Sequence, residues 1–541
     1  VLAQPSTCES PFSGLRPASL WDHFEQITKI GRRSGHEAAI RTHIQNWASS
    51  RKLPWRPDEV GNLRVRVPAT TTVRGAETIV LQSHLDMVCE RNSDSPFDPA
   101  EGRIRVCRDD GWIHADGTTL GADNGIGVAT MLAVAEDRQA KHGPLELLFT
   151  VDEETGLTGA ANLKPEFITG RRLLNLDSEE ENVIFVGSAG GCDVRLTWRG
   201  RREPVPESWQ VIVITVKGLL GGHSGVDISK GRLNAIRAMV RLLIERPPGK
   251  GFLPVPYDLR LLRMEGGNRS NAIPRECELR VALPPEQVEG LLAKVNRAKD
   301  VLVESYGKRE PELDVTAYPL ARQPSSDPVL GFDRSSTLSL LQLLYLVPVG
   351  PRSLRAQLSN TVETSANLAS VHTGGEAVEI IVSLRSLDDG KLSHQIKELL
   401  ALAGPLTGIE ATEVFDRYPP WPFRTQSPTC RAVLQAFRTV YADEASTPLR
   451  AIHGGLECGF IARRISEMDM VSFGPIIEGA HSPGERVNIL SVQRFWNVLL
   501  AALKNLTEPN QTEPTLVEGR RLGIPLSTTP FKKRVRDGGP I

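Results

Sequence analysis

The feature that most restricts the fold is a series of short apolar runs, each followed closely by acidic or imidazole residues. They are Thr78 to Gln82 (TIVLQ), Leu145 to Val151 (LELLFTV) and Leu173 to Leu176 (LLNL). Runs this short suit strands covered on both faces better than helices. A helical segment from about Asn124 to Glu136 separates the first two. Strands alternating with helices predict an α/β fold whose main sheet is mostly parallel.

From about residue 191 the texture changes to longer polar stretches, and it returns after about Pro419 with an apolar strand at Met468 to Phe473 and a helix at Arg494 to Leu506. The pattern predicts an α/β domain in two parts, 19–190 and 419–506, with an α+β domain, 191–418, inserted between them. Within the insert, CELRVALPPEQVEGLLAKV near 277 and VEIIVSLRSLDDGKLSHQIKELL near 378 both read as strand, turn and helix, a sign of internal duplication. Ser19 with Asp22 forms a capping-box pattern ahead of Leu20, Phe24 and Ile27, so a helix is expected to begin there. Residues 1–18 read as a loose N-terminal arm. Residues 507–541, rich in Pro, Thr, Gly and charge, read as a disordered tail.

Charge excludes some classes of partner. Lys and Arg number 64 against 65 Asp and Glu, which leaves no overall field for a nucleic-acid backbone or an anionic membrane. No stretch approaches the ~18 apolar residues that span a bilayer, and the first residues lack the pattern of an export signal. The seven cysteines are scattered and form no CxxC pair. Reduced thiols in a cytoplasmic protein acting on small molecules are therefore expected.

The chemistry-bearing residues cluster at predicted strand ends. SHLDMV sets His84 and Asp86 two apart, which in an extended segment puts both on one side. DEETG brings Glu153 and Glu154, LNLDSEE brings Asp177, and EGAHSPGE in the returning segment brings His481. In GTTLGADNGIG, Asp123 stands at the mouth of a helix between glycines that let the backbone turn tightly. Ligands of open parallel sheets gather at the carboxyl ends of the strands. His84, Asp123, Glu154, Asp177 and His481 form a donor set suited to two zinc-like ions, because one carboxylate can bridge them. An isolated HxD or EE pair is usually an ordinary loop or helix start. The argument lies in their joint occurrence.

SHLDMV, GTTLGADNGIG, the EE pair, LDSEE, KGLLGGHSG, NAIPRE, HGGLECG and GAHSP, in this order, resemble the M20 metallopeptidases, in particular their aminoacyl-histidine dipeptidase branch. The resemblance runs from about Leu20 to Leu506. It implies a zinc-peptidase catalytic domain with an inserted lid, two divalent ions, zinc foremost with Mn²⁺ or Co²⁺ as substitutes, and hydrolysis of Xaa-His and other dipeptides. His84 and Asp177 would hold one ion, Glu154 and His481 the other, and Asp123 would bridge. Glu153 would be the general base, and Asp86 would orient the His84 ring. In the lid, His223 would stabilise the oxyanion, while Asn271 and Arg385 would bind the substrate end. Another amide hydrolase of this architecture, such as an aminoacylase or tripeptidase, and a non-catalytic metal-dependent binding protein are the alternatives. The sequence leaves open monomer or homodimer, and with it whether His223 serves its own site or a partner's.

Overall fold

A computed structural model describes residues 10–508 apart from 72, 74, 245–256, 322–327, 356–360, 376, 403–407 and 442–446. The expected tail therefore lies outside the described residues, except for Thr507 and Glu508. Thr507 closes the Ile489–Thr507 helix and is buried.

The three apolar runs become the strands Ile79–His84, Leu145–Thr150 and Arg172–Asn175. Leu145–Thr150 pairs in parallel with Ile79–His84, which pairs in parallel with Arg172–Asn175, and Asp469–Ser472 adds in parallel on the far side. These four strands form the middle of an eight-stranded sheet. Outside them the hairpin Trp55–Pro57 and Leu63–Val67 runs antiparallel, so the expectation of a mostly parallel sheet holds at the centre.

Side chains alternate between two covered faces, as the strand period of two requires. Leu81, Leu147 and Leu174 pack into one core with the helices Ala122–Glu136 and Ile489–Thr507. Val80, Leu148 and Leu173 pack into the other, with Ile461 of the Cys458–Arg464 helix. Burial on both faces is why these runs carry no polar alternation.

The first helix, Ala18–Ile27, departs from expectation. Its N-cap is Pro17 with no side-chain cap, and Ser19 lies inside the first turn, so Ser19 and Asp22 make no capping box. Nor is the arm loose throughout. From Ser10 on it packs onto the helix, where Phe12 is 6% exposed with its ring 5.9 Å from Trp21 and 6.0 Å from Phe24.

Residues between these two parts of the sheet build a nine-stranded antiparallel sheet with its own core of Val194, Ile212, Leu279, Leu368 and Val382. From its middle outward, one side runs Arg260–Gly266, Cys277–Leu283, Gln210–Lys217 and Asp314–Leu320. The other side runs Thr361–Thr373, Val378–Ser386, Gly190–Trp198 and Ile409–Tyr418. The two segments that resemble each other in sequence occupy corresponding places, each a strand leading into a helix, Val288–Tyr306 and Asp389–Ala401. Among the described residues no helix is long and apolar enough to cross a membrane, and the six cysteines are free thiols.

The packing of the arm has a measurable consequence. Phe12→Ala should cost about 3–5 kcal/mol in chemical denaturation, the usual penalty for emptying a buried aromatic site. A loss below about 0.5 kcal/mol, as expected of an exposed position, would return residues 10–18 to a loose arm.

Candidate metal centre

Because the central strands are parallel neighbours, their carboxyl ends open on one edge of the sheet, and each delivers one part of a polar cluster. His84 closes Ile79–His84, Glu153 and Glu154 follow Leu145–Thr150, and Asp177 follows Arg172–Asn175. Asp123 enters from the start of Ala122–Glu136, where its φ of −81° and ψ of 110° leave the helical region. His481 arrives on a turn beyond Asp469–Ser472 with φ 64°.

The distances resolve this cluster into two groups that share Asp123. His84 Nε2 lies 3.0 Å from Asp123 Oδ1 and 3.2 Å from Asp177 Oδ1. His481 Nε2 lies 3.1 Å from Asp123 Oδ2 and 2.9 Å from Glu154 Oε2. Each imidazole nitrogen thus faces two carboxylate oxygens, although one N–H can serve only one of them well. A buried oxygen, Glu154 Oε1, has no hydrogen-bond partner among the described residues. Cations placed between these atoms would satisfy them all, and the donors are the nitrogen and oxygen types that zinc accepts. The residues present fit two divalent ions.

Electrostatics point the same way. Burial pushes the Asp177 and Glu154 carboxyls up, and the Asp123 charge adds to it. Burial alone would lower His84, but the Asp177 charge and hydrogen bonds to Asp123, Asp177 and Asp86 raise it well above its usual range. His481 is raised in the same way by Asp123 and Glu154, against its own desolvation. Glu153 is pushed well up, first by burial and then by the charges of Glu154 and Asp177, though His84 opposes them.

Asp86 ties the cluster together. It lies 3.4 Å from His84 Nδ1, accepts from the backbone N–H groups of Glu153 and Glu154 at 3.0 and 3.1 Å, and accepts from Ser34 Oγ at 2.8 Å. Burial opposes its ionisation, yet these partners bring its carboxyl down to about 2.

A cavity of about 320 Å³ opens beside the cluster, lined by Glu153 and Glu154 on one side and by His223, Asn271, Arg385 and Asp193 on the other. His223 accepts at Nδ1 from the N–H groups of Gly225 and Val226, at 3.2 and 3.1 Å, so its proton sits on Nε2. Burial, with Arg385 and His481 nearby, lowers it to about 4, and the ring is neutral. The Asn271 carbonyl accepts from Ser224 N at 2.7 Å, which joins the loops bearing His223 and Asn271. Arg385 donates from Nη1 to Tyr418 Oη at 2.7 Å, while its buried Nε has no partner among the described residues. All ten residues singled out from sequence therefore meet at one cluster and its adjoining cavity.

Residues 80–505 match the model of Peptidase family M20/M25/M40. The chain belongs to this family. It is 37% identical over 498 residues to the cytosol non-specific dipeptidase of Escherichia coli K12, covering 92% of this chain and 99% of that protein. The aminoacylhistidine dipeptidase of Vibrio alginolyticus superposes with a TM-score of 0.77 at 36% identity, over 92% of this chain and 98% of that one. A tripeptidase of Staphylococcus aureus shares the fold, with a TM-score of 0.54 at 17% identity over 91% and 99% of the two chains.

Sequence reasoning missed several residues around this M20 site. Tyr418 and Asp193 gave no signal, because each lies in an ordinary strand. His453 lies inside the recognised HGGLECG stretch, and its Nε2 is 2.7 Å from Ser365 Oγ across the gap between the two sheets. Glu485 lies four positions past His481, inside the EGAHSPGE stretch already quoted.

The raised imidazoles give a prediction with a definite sign. Groups raised above neutrality carry protons at pH 7 that a metal must displace. Zn²⁺ binding to the metal-stripped protein should therefore release protons, seen calorimetrically as a binding enthalpy that varies with the ionisation enthalpy of the buffer. Zn²⁺ binding should also tighten as pH rises. Buffer-independent enthalpy would contradict the assignment of His84 and His481.

Proposed function

We propose that this M20 peptidase is a dipeptidase using two divalent ions, zinc foremost with Mn²⁺ or Co²⁺ able to replace it, to cleave Xaa-His and other dipeptides with a free C-terminus. His84 and Asp177 would hold one ion, Glu154 and His481 the other, with Asp123 between them. When bound, the ions supply Lewis acidity, polarising the peptide carbonyl and making water more acidic.

The remaining roles belong to the chain. Glu153, whose carboxyl burial pushes well up, takes a proton from the attacking water and passes it to the leaving amine. Asp86 holds the His84 ring and fixes the turn that carries Glu153 and Glu154. His223, neutral and with its Nε2 proton directed by the backbone bonds at Nδ1, donates to the oxyanion where charge develops. It lines the same cavity as Glu153, which supports action in cis within a single chain.

Arg385, with one edge taken by Tyr418 and its Nε without a partner among the described residues, suits the terminal carboxylate of a substrate, and Asn271 lines the same cavity. Residues 191–418 serve as the lid in this reading, and 19–190 with 419–506 as the catalytic part. The free thiols and the name of the Escherichia coli relative support a cytoplasmic setting.

The observation that carries this reading is the pair of ligand groups sharing Asp123, next to a cavity of about 320 Å³ that contains Arg385. That volume is near the small end of the roughly 300–1,000 Å³ typical of ligand pockets, in keeping with a small substrate. The test is turnover on free Xaa-His dipeptides, their C-terminal amides, tripeptides and N-acyl amino acids, with metal content measured alongside. Free dipeptides should be cleaved best. Glu153→Ala should keep both ions and lose most of its rate, whereas Glu154→Ala should lose an ion. Preference for N-acyl amino acids would make the chain an aminoacylase. Metal lost in Glu153→Ala but retained in Glu154→Ala would reverse the two roles.

A further inference from the structure

Behind the metal ligands, and touching none of the cavity, lie two opposite charges that are almost fully buried, Arg32 and Glu485, each 2% exposed. Buried charges are costly unless they are paired or hydrogen-bonded, so what they hold is informative. Glu485 accepts three backbone N–H groups of the loop that carries Asp123: Leu120 at 2.8 Å and Gly121 at 2.9 Å through Oε2, and Asp123 itself at 3.2 Å through Oε1. Arg32 works on the other side of the same loop. Its Nη2 donates to the Gly121 carbonyl, while Nη1 donates to the carbonyls of Leu85 at 3.0 Å and Asp86 at 2.7 Å, the residues that follow His84.

Gly121 is thus gripped at its N–H by the carboxylate and at its carbonyl by the guanidinium. The guanidinium fills the room that side chains would need. A Cβ on Gly121 would run into Arg32 Nη2, and one on Gly125 would lie 2.9 Å from the same atom. The glycines of the GADNG stretch are therefore required for the approach of Arg32 as well as for the turn.

We propose that Arg32 and Glu485 are positioning residues that lock the Asp123 loop against the His84 strand end, and so set how tightly the chain binds its metal pair. Glu485 fixes the backbone from which Asp123 projects, and Arg32 fixes the distance between that backbone and the strand end that carries His84 and leads into Asp86. Neither reaches a metal or substrate position. Their effect falls on the one carboxylate that both ligand groups share. This inference rests on the two-metal reading above.

The experiment compares wild-type, Glu485→Gln and Glu485→Asp proteins, stripped of metal and titrated with Zn²⁺ against a competing chromophoric chelator. Circular dichroism and the melting temperature of the metal-free form are recorded alongside. Glutamine turns an N–H₂ group toward backbone donors, and aspartate keeps the charge but shortens its reach. Both folded variants should bind Zn²⁺ about 10–100-fold more weakly than wild type, the usual effect of losing a group that orients a ligand. A merely structural role would lower the melting temperature and leave the affinity of the folded fraction unchanged, and that result overturns the proposal. So does failure of both variants to fold, which would make Glu485 a requirement of the core. Wild-type protein that binds no Zn²⁺ would instead overturn the two-metal reading itself.

Discussion

The site depends on a concentration of negative charge that water does not relieve. Asp123, Asp177, Glu153 and Glu154 come together at one sheet edge, mostly out of solvent, where like charges interact far more strongly than in bulk water. Two imidazoles face them, each nitrogen shared between two carboxylates. Left to itself such a cluster responds by shifting its protons: burial pushes the Asp177, Glu154 and Glu153 carboxyls up, Asp123 is held down against its burial by the two imidazoles it faces, and His84 and His481 are held protonated. Divalent ions held by the proposed ligands would resolve the same conflict by replacing those protons. Metal affinity and proton affinity are two readings of one arrangement, and the sheet creates it by ending parallel strands side by side.

Holding that arrangement falls to groups whose own charge is spent on the backbone. The Asp86 carboxylate faces the His84 ring and accepts the N–H groups of Glu153 and Glu154, so one side chain fixes a proposed ligand and the turn that carries the proposed base. Glu485 treats the Asp123 loop in the same way. On the facing side, His223 owes its neutral form and its proton position to burial and to two backbone donors rather than to an acidic partner.

Much of this was legible in the chain, for physical reasons that differ from residue to residue. The central strands were plain because both faces are buried, which leaves runs with few polar interruptions, and His84, Glu154 and Asp177 follow those runs closely. The facing of His223 and Arg385 toward Glu153 was out of reach of spacing alone, since it depends on how the second sheet sits against the first; only the family resemblance suggested it. The supposed capping box failed because the Ser19 pattern is short and common, and the helix is capped two residues earlier, at Pro17. Phe12 and Leu15 show no periodicity, so nothing local distinguished a packed arm from a loose one. Arg32 left no trace at all, because its partners are carbonyl oxygens, and backbone atoms are the same whatever the sequence.

The central claim is that two ions share Asp123. Anomalous diffraction at the zinc edge from crystals of the zinc-loaded protein tests it most directly. The account predicts two peaks roughly 3.5–4 Å apart, one between His84 and Asp177 and the other between Glu154 and His481, with Asp123 reaching both. A single peak, or a second one away from Asp123, would contradict it.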